Sequence, residues 1–129
     1  MKRLFLLSCL AMLSGAAAAE SPQQILAAYQ QQAGNASAAR GEKFFSTKVP
    51  QANGVAAGCT SCHTDNPRAI GKTRAHKAIE PLAPVANRER FTDPAKVEKW
   101  FKRNCKDVLD RECTVQEKAD FVAFLISVK

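Results

Sequence analysis

Three residues able to form strong covalent or coordinate bonds lie within five positions, Cys59-Thr60-Ser61-Cys62-His63. Two thiols three positions apart can act as a redox dithiol, as half of a zinc site, or as paired nucleophiles adding to the two vinyl groups of a porphyrin. The histidine that follows separates these chemistries. C-x-x-C-H is the spacing at which both thioethers form from one helical turn and the imidazole lies under the iron as proximal ligand. A redox dithiol belongs in a βαβ setting, which the element pattern does not supply. A zinc site needs two further ligands at matching spacing, and Cys105 and Cys113 do not pair that way. The motif predicts one covalently attached haem c.

The ligand on the opposite face is less direct. Small electron-transfer haem proteins commonly use a methionine thioether there. This chain has two methionines, Met1 and Met12. Both lie in a segment with the organisation of a secretory signal: Lys2 and Arg3, an apolar run from Leu4 to Leu13, and Ala17-Ala18-Ala19 before Glu20. The run is shorter than the roughly 20 residues that cross a bilayer. Cys9 lies too early in it for a lipoprotein cysteine. Residues 1–19 are therefore expected to be a cleaved signal and residues 20–129 a haem domain exported to the periplasm. Cleavage removes both methionines and leaves His76, a lysine, Asn104 or an open position opposite His63.

Val97, Phe101, Asn104 and Val108 recur at i, i+4, i+7 and i+11, one face of a helix. Asn104 then sits in an apolar stripe, where a buried amide must find a partner or cost about 1–3 kcal/mol. A backbone group and the iron both qualify. His76 stands between Arg74 and Lys77, in a segment expected to be a solvated loop. In an oxidising compartment Cys105 and Cys113 are expected to pair. The bridge closes a short loop and contributes roughly 2–3 kcal/mol, as a staple or as a redox switch beside Asn104.

The remaining elements must position these groups. Ser21-Pro22-Gln23-Gln24 predicts a helix start with a capping box, running to about Ala33. A second helix is expected over Ala38–Ser46, and a loop from Val49 to Gly58. A helical turn should carry Cys59–His63, followed by a loop-rich stretch from Thr64 to Asn87. Thr92 or Asp93 caps a helix led by Pro94 and ending near Leu109. Thr114 with Glu117 starts the last helix, with Phe121, Val122 and Leu125 on its inner face. No strand is expected. The fold class is all-α, helices wrapped around one haem. A chain this short buries only about two-thirds of its unfolded surface, so the haem completes the core.

The formal charge of +7 drops by two when Lys2 and Arg3 leave with the signal. In an exported protein this balance points to a solvated surface or a face for an acidic protein, and not to nucleic acid. Arg68, Lys72, Arg74 and Lys77 are expected to be solvated, with contact to the haem propionates as the alternative.

Gly41 and Phe45 resemble the glycine and aromatic of the N-terminal helix in class I cytochromes c, where the glycine lets the C-terminal helix cross closely. Here Phe45 lies far upstream of Cys59, so the stretch between Ser46 and Gly58 is an insertion. Taken with Cys59–His63, Glu80-Pro81-Leu82-Ala83-Pro84, Arg90-Phe91-Thr92-Asp93 and Trp100–Cys113, the chain resembles the sphaeroides haem protein family over nearly all of its mature length. These are oxygen-binding class I-type cytochromes c, often filed as domains of unknown function. Asn-Cys with a second Cys eight residues on is the specific part of the likeness. The resemblance implies that Asn104 is the sixth ligand of ferric haem and leaves on reduction, and that Cys105–Cys113 is a disulfide beside it. It further implies a dihaem cytochrome c or a membrane cytochrome b as redox partner, and a ferrous haem that binds O2, CO or NO. A plain electron carrier with a retained sixth ligand is the alternative. A reductase or dioxygenase of nitrogen oxides is a third reading, for which no distal His/Arg acid–base pair is evident.

Overall fold

The computed structural model describes residues 18–129; most of the expected signal, with Met1 and Met12, lies outside them. The helices begin where side chains satisfy the free N–H groups of a first turn. In α1 (Pro22–Ala33) Gln24 N–H donates to Ser21 Oγ at 3.2 Å, and Ser21 N–H to Gln24 Oε1 at 2.7 Å. α2 (Ala38–Ser46) is capped by Ser37. α4 (Pro94–Leu109) is capped by Asp93, whose carboxylate accepts from Lys96 N–H at 3.0 Å. In α5 (Val115–Ser127) the Thr114/Glu117 box closes in both directions, and Arg111 holds Glu117 with two N–H donors. A four-residue helix, α3 (Thr60–His63), carries the haem motif.

The expectation of no strand is corrected at two places. Val49–Pro50 (β1) pairs antiparallel with Ala56–Ala57 (β2), and Gly71–Lys72 (β3) with Ala78–Ile79 (β4). Each hairpin is only two residues deep, too short for any alternating pattern to announce it.

α5 packs across both α1 and α2. At the α2 crossing a Cβ on Gly41 would overlap the Asp120 carbonyl and crowd Phe124, so only glycine permits this approach. Phe45 then meets Phe124 at 5.6 Å and Phe121 at 6.3 Å between ring centroids. Phe121 continues edge-on to Phe101 of α4 at 5.6 Å, and Phe101 to Tyr29 of α1 at 6.0 Å. Val122 and Leu125 are fully buried in this aromatic core. One carboxylate joins them. Asp120 accepts from Ser37 N–H at 2.7 Å, from Arg40 Nε and Nη2 at 2.7 and 2.8 Å, and from Gln116 at 3.0 Å. Burial works to raise its pKa, but the Arg40, Ser37 and Gln116 donors together hold it below the ordinary carboxylate range.

Candidate haem site

Cys59, Cys62 and His63 share a single turn. Cys62 N–H and His63 N–H both donate to the Cys59 carbonyl, at 3.3 and 3.0 Å. The turn is fixed from behind by β3: a Cβ on Gly71 would overlap the Cys62 carbonyl and crowd His63 Cα. In the sequence Gly71 falls in the loop-rich stretch Thr64–Asn87. A glycine shortly after C-x-x-C-H is a weak signal, since the close approach it permits exists only after folding.

Both thiols are free and half-buried. Burial pushes the Cys59 thiol up to about 11, a backbone hydrogen bond opposes this, and Cys62 adds to it. A redox dithiol needs a depressed thiol pKa, so this turn is poorly suited to disulfide exchange. Burial, and then the charge of Arg90, push His63 down to about 4. Its imidazole is neutral at pH 7, with a lone pair available to a metal. Arg90 is held beside it by two main-chain carbonyls, Pro81 at 2.8 Å and Glu80 at 2.7 Å. No local sequence signal pairs Arg90 with a histidine so far upstream. Thr60 Oγ1 is buried without a protein partner, the one such side-chain atom among the described residues. No group of three or more His, Cys, Asp or Glu side chains among the described residues could hold a bare metal ion. One ring nitrogen and two thiols therefore fit a porphyrin, which brings its own four iron ligands, and do not fit zinc.

The stripe read from periodicity divides in two. Val97, Phe101 and Cys105 form the row buried against the protein, while Asn104 is exposed beside Trp100, one turn earlier and 39% exposed. The helical period alone places Asn104 within about 20° of Val97, so the packing of the neighbouring elements, not the period, covers Phe101 and Cys105 and leaves the Asn104 edge free of polypeptide. Polypeptide does not cover the Asn104 amide, which makes no hydrogen bond among the described residues. Cys105 and Cys113 are bonded, Cα to Cα 5.6 Å, both within the core. The insertion after Ser46 reaches the same helix end: Gln51 Nε2 donates to the Val108 carbonyl at 2.9 Å. His76 sits exposed in the β3–β4 turn with φ +62°.

Helices around an aromatic core, with C-x-x-C-H on its own turn, define a c-type cytochrome carrying one covalent haem. Residues 31–125 match the family described as a domain of unknown function, DUF1924, and the chain belongs to that family, which includes the sphaeroides haem protein. It is 44% identical over 128 residues to the cytochrome c-type protein SHP of Cereibacter sphaeroides, covering 97% of this chain and 98% of that one. The structure of oxidised SHP, described as an oxygen-binding cytochrome c, superposes with a TM-score of 0.77 over 83% of this chain and 96% of that one, at 44% identity. Oxidised cytochrome c'' of Methylophilus methylotrophus superposes with a TM-score of 0.78 at 37% identity, over 84% of this chain and 94% of that one.

Proposed function

We propose that this protein is a periplasmic haem protein that accepts an electron and, once ferrous, binds a small diatomic ligand such as O2, NO or CO. A bound haem would supply a redox-active iron. Cys59 and Cys62 would hold it covalently, His63 would ligate the iron through its imidazole, and Asn104 would offer its amide oxygen as the gating ligand. That oxygen is a hard, neutral, weak-field donor that suits Fe(III) better than the softer Fe(II), so reduction would favour its release. The signal over residues 1–19 delivers the chain, and a dihaem cytochrome c or a membrane cytochrome b delivers the electron.

The observation that carries this reading is Asn104 itself. It is an amide with no protein partner, exposed on α4 beside Trp100, and directly followed by a cysteine bonded into the core. Residues 20–129 offer no methionine to compete with it. The oxygen binding attributed to SHP points the same way.

Visible spectra of the ferric and ferrous protein, with and without CO, test the proposal. High-spin ferrous haem with prompt CO uptake is expected. Asn104→His should give a low-spin ferrous haem that takes up CO slowly, because imidazole stays bound in both redox states. A low-spin, CO-inert ferrous wild type would refute the gating role. His76 would then be the candidate ligand, and plain electron transfer the function.

A further inference from the structure

From residue 66 to residue 79 the chain carries Arg68, Lys72, Arg74 and Lys77 and no acidic residue. All four are exposed, as is His76. None of the four joins a salt bridge among the described residues, and neither do Lys96, Lys99 and Lys102 of α4, but α4 interleaves its cations with Glu98 and Asp107 whereas residues 66–79 carry no acid at all. Arg68 donates instead to the main-chain oxygen of Lys129 at 2.9 Å. Within this cationic run Ile70 is 60% exposed.

The run is built into a fixed element. Gly71 pairs with Ile79 and Lys72 with Ala78, and Gly71 seats the hairpin against Cys62 and His63. A molecule resting on β3–β4 is one layer of backbone from the residues that hold the haem. Uncompensated like charges on one hairpin repel each other and are relieved by an opposing anionic surface. An exposed apolar side chain within a run of charges offers the small apolar centre and polar surround of an interface.

We propose that the β3–β4 hairpin, with Arg68, Ile70, Lys72, Arg74 and Lys77, is the docking surface for an electron-donating protein with an acidic face. The donor loses one electron there and the haem iron gains it. The proposal rests on the reading above that the haem accepts an electron, and it assigns the place of entry.

The test compares holoprotein variants of equal charge. In one, Lys72, Lys77 and Arg74 are replaced by glutamate. In the other, Lys96, Lys99 and Lys102, exposed on α4, are replaced likewise. Each is reduced by an acidic flavodoxin and by neutral lumiflavin semiquinone over a range of ionic strength. With flavodoxin at low salt the hairpin variant should react at least about tenfold more slowly than wild type, with the salt dependence flattened. The α4 variant should stay within about twofold, and lumiflavin should reduce all three proteins alike. Equal losses in both variants would mean that only total charge matters and would overturn the proposal. So would a hairpin variant slowed with lumiflavin as well, or one unaffected with either reductant. CO uptake is scored separately on the same ferrous samples. A CO-inert haem with an intact hairpin effect would remove the gating reading and leave the docking surface standing.

Discussion

Replacing Cys105 and Cys113 with alanine opens a loop whose ends are eight positions apart. In the chain-entropy account, a closed loop of about nine residues withholds roughly 9 cal/mol/K from the unfolded state, or about 2.6 kcal/mol at 25 °C. Unfolding entropy near 2.1 cal/mol/K per residue, over roughly 110 residues, converts this to a fall in Tm of about 11 °C. Both sulfurs are in the core, Cys105 6% and Cys113 8% exposed, so truncation adds a packing loss. Single and double variants separate the two contributions. Opening the loop is common to Cys105→Ala, Cys113→Ala and the double variant, whereas packing losses accumulate. Thermal unfolding of the ferric holoproteins at pH 7, followed by far-ultraviolet circular dichroism, should place all three within about 1 kcal/mol of one another and well below wild type. A double variant melting within about 3 °C of wild type would refute the staple. A double variant whose loss equals the sum of the singles would assign the effect to packing.

Two further outcomes follow from the core and from the haem turn. Asp120→Asn should lower stability at pH 7 by about 1–3 kcal/mol, since the Arg40 and Ser37 donors lose a charged acceptor. The Asp120 pKa is depressed in the folded state, so its stabilisation is complete above the unfolded value near 4 and is lost as pH falls through the lower folded value. Urea midpoints from pH 7 to pH 3 should therefore fall less steeply for Asp120→Asn than for wild type, and parallel acid limbs would contradict the assignment. Gly71→Ala should cost about 1–3 kcal/mol, because the new Cβ meets the main chain at Cys62 and His63, which cannot swing aside as a side-chain tip would. The check is the melting temperature together with the Soret band, and both unchanged would show that β3 does not brace the turn.

What the sequence determined alone is local. Ser21 with Gln24 and Thr114 with Glu117 mark helix starts because a cap and its partner are three residues apart, and Asp93 before Pro94 does so because a capping carboxylate precedes a residue already fixed for the first turn; both hold whatever the rest of the chain does. Cys59–His63 reads as a haem turn for the same reason: all its chemistry lies in one turn. Cys105–Cys113 was legible because the loop between them is short. The structure decided what depends on distant neighbours. The hairpins β1–β2 and β3–β4 exist through a few cross-strand bonds that no periodicity announces. The space at Gly41 and Gly71 is taken by the backbones of Asp120 and Cys62. Arg90 lies beside His63 because the carbonyls of Glu80 and Pro81 aim it there. Asn104 shows the boundary best. Its period places it in the apolar stripe, and packing Phe101 of α4 against Tyr29 and Phe121 covers one edge of that stripe with polypeptide while leaving the Asn104 edge to another partner. A helical period fixes which residues share a face, but only the neighbouring elements decide which edge of that face is covered.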